Sequence, residues 1–248
     1  MADTRDYRRP MDVTADGPTT PAPRVTGSDR GEEREGGVLV IGLGRFGSAI
    51  ALTLDRLGHD VLAAERDPDI VQHYAGRFPL VEADASNPEA LLQLGARDFP
   101  VAVVGVGTSL EASVLITGNL VDLGTPQIWA KATSPEHARI LHRIGAHHVV
   151  LPEADAGNRV AHLVSGKLLD YIEVEDDFTI VKMRPPREVQ GFTIGQSQIR
   201  KRYGVTVLGV KPPGEDFVYA TEETRIAAHD ILIVSGNAEL LERFAARP

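Results

Sequence analysis

From Val38 the chain alternates short apolar runs with amphipathic stretches. VLVIG (38–42) has the composition of a buried strand. FGSAIALTLDRLG (46–58) carries apolar residues at helical spacing and stops at Gly58. The rhythm repeats: strands at DVLAAE (60–65), FPLVEAD (78–84), PVAVVGVG (100–107), PQIWAKA (126–132) and HHVVLPE (147–153). Between them lie helices at DPDIVQHYAG (67–76), NPEALLQLG (87–95), SLEASVLITGNLVDLG (109–124) and SPEHARILHRIG (134–145), several opened by a capping residue before proline. Strands separated by helices require parallel crossovers. The fold class is therefore α/β, a Rossmann-type doubly wound parallel sheet of about six strands over residues 37–151.

The period then changes. PEADAGNRVAHLVSGKLLD (152–170) reads as a long connecting helix. YIEVEDDFTIVKMRPP, VTVLGVKPP, EDFVYA and DILIVSG read as strands, and FTIGQSQIRKRYG and NAELLERF as two helices. Residues 171–248 are thus a small α+β C-terminal domain. Residues 1–36 mix charged residues, Pro, Thr and Gly without apolar periodicity, and are expected to be a disordered tail.

Composition narrows the function. A formal net charge of −9 argues against a nucleic-acid polymer as partner, which needs a clustered basic surface. The absence of cysteine excludes disulfides, thiolate nucleophiles and Cys-type zinc sites. No apolar run approaches the roughly 20 residues of a membrane span, and the N-terminus lacks a secretory pattern. A soluble cytoplasmic protein is expected.

The chemistry lies in GLGRFG. Gly42, Gly44 and Gly47 have the G-x-G-x-x-G spacing between a strand and a helix. They supply a tight turn, close backbone approach to a pyrophosphate, and close packing of helix on strand. The helix N-terminus adds free N–H groups and partial positive charge. Glu65 ends the second strand about 20 residues beyond the loop, where an acid bonds ribose hydroxyls and disfavours a 2′-phosphate. Asp84, or the backbone at Ala85, stands where the adenine amine lies. No catalytic set accompanies this site. His147 and His148, adjacent on a strand, point to opposite faces. His137 and His142 do not face each other, and the Ser/Thr-rich start at 108–113 is first a helix cap. A non-enzyme is expected, with an NAD-dependent oxidoreductase as an alternative.

VIGLGRFG, GHDVLAAERD, LGARDFPVAVVGVG, IWAKA and IGAHHVVLPEADAG follow in order, and together resemble the RCK domain of bacterial KtrA/TrkA-type potassium-uptake regulators. FTIGQSQIRKRYGVTVLGVKPPG resembles that family's C-terminal module. The resemblance implies a cytoplasmic gating subunit, peripheral to the membrane, that forms dimers through the helix after the sixth strand. The dimers assemble into an octameric ring beneath an integral-membrane potassium-translocating subunit of the KtrB/TrkH type. It implies ATP or ADP at the Rossmann site, or alternatively NAD(H). The nucleotide-contacting set becomes Gly42, Gly44, Arg45, Phe46, Gly47, Glu65, Arg66, Asp84, Ala85, Gly105 and Lys131. Arg45 matches an arginine that reaches terminal phosphates, often across a subunit boundary. Glu153 matches a glutamate holding Mg2+ or another cation at the phosphates, and also suits an acid at a helix N-terminus. In the C-terminal module Ile194, Gln198 and Arg200 fall in a segment that binds cyclic di-AMP in relatives. Gln198 replaces the usual Asn there, and Ile194 equally suits the core.

Overall fold

The structure, a computed structural model, describes residues 36–175 and 177–248. The expected tail at 1–36 lies outside the described residues apart from Gly36. A six-stranded sheet has the order β3-β2-β1-β4-β5-β6, with every pair parallel. Its strands are β1 (Val38–Ile41), β2 (Val61–Glu65), β3 (Leu80–Glu82), β4 (Val101–Val104), β5 (Gln127–Lys131) and β6 (His148–Val150). The order reverses between β1 and β4, so the chain leaves these neighbours in opposite directions and a crevice opens at their carboxyl ends.

Helices α1 (Arg45–Arg56) and α2 (Pro68–Tyr74) pack on one face of the sheet against Val40, Ala63 and Val103. On the other face α3 (Pro88–Gln93), α4 (Leu110–Asp122) and α5 (Pro135–Ile144) bury Leu91, Ile116, Leu120 and Leu141 against Leu39, Ile41, Ala102 and Ile128. Local chemistry sets the boundaries. Asp67 and Asn87, each before a proline, accept the Asp69 N–H at 3.0 Å and the Glu89 N–H at 2.9 Å and so start α2 and α3. Ser134 caps α5, which ends in the left-handed Gly145.

Helix α6 (Pro152–Val164) follows β6 and has no buried residue. It is shorter than the sequence suggests. Gly166 has φ +73°, and LeuLeuAsp (168–170) belongs to β7 (Leu168–Glu175), because Leu168 and Tyr171 are buried against the antiparallel β8 (Phe178–Met183). The second sheet runs β10-β9-β11-β8-β7, with β9 (Thr206–Lys211), β10 (Val218–Tyr219) and β11 (Ile231–Gly236), all antiparallel. Val181, Met183, Leu232 and Val234 form its core with Ile199 and with Leu241 and Phe244 of α9 (Ala238–Ala245).

The segment FTIGQSQIRKRYG, read as one helix, is two: α7 (Ile194–Ser197) and α8 (Ile199–Tyr203). Thr193 and Gln196 form a reciprocal capping box that starts α7. Gln198 breaks it by taking φ +47°, ψ +40°, the one described non-glycine residue at positive φ. An exposed glutamine gains nothing from that conformation, which costs an L-residue roughly 1–2 kcal/mol. Gln198→Gly is expected to stabilise the module by about 0.5–1 kcal/mol, after offsetting glycine's larger entropy loss. Gln198→Asn should gain less. The midpoint of urea unfolding reads both; a lower midpoint for the glycine variant would contradict the strain. Among the described residues no helix is long and apolar enough to cross a membrane.

Candidate nucleotide-binding site

The turn after β1 is built around contacts only glycine permits. Gly42 has φ +86° and donates its N–H to the Ala64 carbonyl at 2.8 Å. A Cβ on Gly47 would fall on the Gly42 carbonyl oxygen, and one on Gly105 would lie 2.9 Å from the same atom. Thus α1, β1 and β4 meet backbone to backbone. Gly44 differs: its φ is −60°, ψ −176°, and a Cβ there would meet no atom within 4 Å. It faces open space at the start of α1. The first helical bond runs from the Ser48 N–H to the Gly44 carbonyl at 2.9 Å, leaving the N–H groups of Arg45, Phe46 and Gly47 ahead of it. This bare cradle of donors fits a pyrophosphate.

A cleft of about 240 Å³ opens beside this turn. Of the nominated residues, Gly42, Gly44, Glu65, Arg66, Asp84, Ala85 and Gly105 line it. Glu65 is 8% exposed, and its carboxylate is already engaged with the backbone. Oε2 accepts the Leu43 N–H at 2.6 Å, and Oε1 accepts the N–H groups of Arg66 at 2.8 Å and Asp67 at 3.0 Å. Its first task is to hold the glycine loop against the end of β2, and spare acceptor capacity remains for a ribose hydroxyl. The Asp84 carboxyl is held below the usual carboxylate range. The Ser86 hydroxyl donates to it at 2.6 Å, the Ser86 N–H at 3.0 Å, and the Arg66 charge adds a smaller effect.

Arg45, Phe46, Gly47, Lys131 and Glu153 stand outside this lining, and Arg45 borders a separate open cleft with Ser48, Asp69 and His73. Lys131 ends β5, and its ammonium is bonded to the Glu153 carboxylate in the first turn of α6 at 2.7 Å. The same nitrogen lies 5.9 Å from the Phe46 ring centroid. Glu153 is pulled below its ordinary range by the Lys131 hydrogen bond, then by its own backbone N–H, the Lys131 charge and the Arg45 charge. Among the described residues no three acidic or histidine side chains form a metal-holding group. A cation at Glu153 would therefore need oxygen ligands other than a cluster of carboxylates.

Asp67, Gly107 and Thr108 also line the cleft; from sequence Asp67 and Thr108 mark only helix starts, and Gly107 is not singled out. The signal was present: GVG after β4 repeats the glycine spacing of GLG after β1. Ser109 caps α4, as expected, by accepting the Ala112 N–H at 3.1 Å. Two histidines prove structural. His147 Nδ1 accepts the Ile128 N–H at 3.0 Å. His137 is buried, which pushes its pKa down, and its Nδ1 accepts the Thr133 N–H at 3.3 Å. In the C-terminal module Ile194 packs against the core while Gln198 and Arg200 are exposed.

A Rossmann-type domain with a phosphate cradle, joined by an exposed helix to an antiparallel module, defines a class of nucleotide-binding regulators. Residues 38–152 match the TrkA-N domain and residues 178–247 the TrkA-C domain. The chain is 36% identical over 207 residues to Ktr system potassium uptake protein A of Bacillus subtilis (strain 168), covering 83% of this chain and 93% of that protein. It is 36% identical over 210 residues to Ktr system potassium uptake protein C of the same organism, covering 84% and 95%. The solved structure of the GsuK channel bound to NAD shares the fold, with a TM-score of 0.62 at 19% identity, over 87% of this chain and 40% of that one. The chain thus spans well under two thirds of that solved chain. It belongs to the RCK/TrkA family, with the architecture of KtrA/KtrC-like potassium-uptake regulators. Its general role is that of a nucleotide-binding, non-catalytic regulator in potassium transport.

Proposed function

We propose that the chain is the cytoplasmic gating subunit of a potassium-uptake system, switched by exchange of ATP and ADP. The observation that supports this reading is the Lys131–Glu153 pair beside the glycine loop, with Arg45 near enough for its charge to act weakly on the same carboxylate. Two cations there suit more phosphates than a single pyrophosphate needs. The glycine loop holds the first phosphates on backbone N–H groups, Glu65 accepts a ribose hydroxyl, and Asp84 with Ala85 faces the adenine. Arg45, with a planar fork matched to phosphate oxygens, reads the terminal phosphate within its protomer or across to a neighbour. Glu153 shares Mg2+ or a similar cation with the phosphates, which removes its repulsion of them.

By the resemblance, protomers pair through α6 and assemble as an octameric ring under a potassium-translocating membrane subunit of the KtrB/TrkH type. Differential phosphate contacts then shift the ring between two shapes. Ile194, Gln198 and Arg200 are proposed to bind cyclic di-AMP at a dimer of C-terminal modules. NAD(H) is the second reading: Glu65 suits the adenosine ribose of either ligand, and the GsuK channel, which shares the fold, is bound to NAD.

Thermal unfolding with each ligand tests the assignment. At about 100 times the dissociation constant a ligand stabilises by about 2.7 kcal/mol, a rise of several degrees for a chain of this size. ATP and ADP are expected to raise the Tm, ATP most with Mg2+, and cyclic di-AMP to act independently of them. A shift with NADH alone would replace the ATP/ADP switch by the second reading.

A further inference from the structure

Past β4 the wall of the cleft is a stretch with little backbone bonding. The Gly105 N–H reaches the Ile41 carbonyl at 2.7 Å, and order resumes where Ser109 caps α4. Between them Val106, Gly107 and Thr108 all line the cleft, and among the described residues they make no backbone hydrogen bond. Their position depends on what they pack against. Val106 meets the first glycine turn, where a Cβ on Gly42 would lie 2.8 Å from its Cγ2. Gly107 is backed by the end of β5 and the turn that follows. A Cβ there would lie 3.3 Å from Cε and Nζ of Lys131 and 3.4 Å from Cγ2 of Thr133.

Thr133 is placed in turn by one side chain. The Ala132 N–H still reaches the Val150 carbonyl of the neighbouring strand at 2.8 Å. The next N–H, that of Thr133, has left the sheet and goes to Nδ1 of His137 at 3.3 Å, and the Thr133 hydroxyl lies 3.3 Å from the same nitrogen. His137 stands in the first turn of α5, where its own N–H is held by the Ser134 hydroxyl at 3.2 Å. Thr133 is exposed, whereas His137 is 1% exposed. Burial pushes the pKa of the ring down and keeps it neutral, so Nδ1 can accept. The other nitrogen, Nε2, is buried with no partner among the described residues, which by itself destabilises the fold. A leucine of similar bulk would fill the site without that cost. What the imidazole adds is the acceptor that holds Thr133.

We infer that His137 is a positioning residue for the nucleotide: through Thr133 it fixes the Val106–Thr108 wall of the cleft in the place the ligand requires. The inference rests on the reading of this cleft as the nucleotide site, for ATP, ADP or NAD(H) alike. The ring itself touches no ligand. Without Nδ1 the exposed Thr133 N–H turns to water, and the methyl behind Gly107 moves with it. A wall that has no backbone bonds of its own then has to be ordered by the ligand, and the cost appears as lost affinity.

Two variants of the full chain separate this role from packing. His137→Asn keeps an acceptor where Nδ1 stands but leaves part of the site empty. His137→Leu fills the site but has no acceptor. Titration calorimetry with ATP and Mg2+, with ADP and with NADH reads affinity, and the midpoint of urea unfolding reads stability. For the ligand that the wild type binds, the asparagine variant should stay within about twofold and the leucine variant should weaken by about five- to tenfold. Leucine should nonetheless be the more stable of the two, because it leaves the smaller cavity. If the leucine variant folds poorly, Thr133→Ala, on the surface, removes the methyl behind Gly107 and should weaken binding by a similar factor. Affinities that rise and fall with the unfolding midpoints, or that are the same in every variant, overturn the positioning role alone. Failure of the wild type to bind any of the three nucleotides overturns it together with the reading of the cleft.

Discussion

Gly47→Ala is expected to destabilise the Rossmann domain by more than about 3 kcal/mol, at or beyond the upper end of the usual range for overpacking a core. The added methyl would land on the Gly42 carbonyl oxygen, a backbone atom fixed by its own tight turn. Gly47 also lies against Gly105 of the next strand, so α1 cannot slide towards β4 to escape. The helix must lift off the sheet and uncover Val40 and Val103, which it helps to bury. Chemical denaturation followed by circular dichroism measures the loss. A variant that purifies with the wild-type unfolding midpoint would show that the three glycines are not in backbone contact.

Three positions earlier the same substitution should have the opposite outcome for stability. Gly44 has φ −60° and ψ −176°, which alanine adopts without strain. A Cβ meets no protein atom within 4 Å. Gly44→Ala is therefore expected to leave the Tm unchanged, or to raise stability by about 0.4–1 kcal/mol through the less flexible unfolded chain. Nucleotide affinity should nonetheless fall by about a hundredfold or more, because the methyl stands where the backbone must approach the pyrophosphate. Titration calorimetry with ATP and ADP reads the affinity, and the unliganded Tm reads the fold. Retained affinity would move the phosphates away from this turn.

The contrast between two glycines shows what the sequence made legible. The G-x-G-x-x-G spacing located the turn, and strand–helix alternation located the six-stranded sheet, since both are local patterns. The extent of α6 was not legible. Leu168 and Leu169 continue the apolar face of the helix read over 152–170, and only pairing with β8, Leu168 opposite Met183, decides that they belong to a strand. The break at Gln198 was hidden because nothing in the residue itself favours the left-handed region. Lys131 and Glu153 were each singled out, but not their bond, which joins positions 22 residues apart through the placement of β5 and α6. Glu65 was assigned to a ribose from its position in sequence. The three backbone N–H groups it binds emerge only when the loop and the strand end are folded together.

That last arrangement bears on any attempt to re-engineer ligand choice. The usual route to accepting a 2′-phosphorylated cofactor is to replace the acid at the end of the second strand with a small neutral residue and supply a nearby cation. Arg66 already stands next in the chain, so a one-residue conversion looks inviting. Here the carboxylate to be discarded also moors the glycine loop proposed to hold the pyrophosphate, so the exchange would surrender the original ligand without creating a site for the new one. Selectivity and loop architecture are written into one side chain. A successful redesign would first have to give the N–H groups of Leu43, Arg66 and Asp67 another anion to hold.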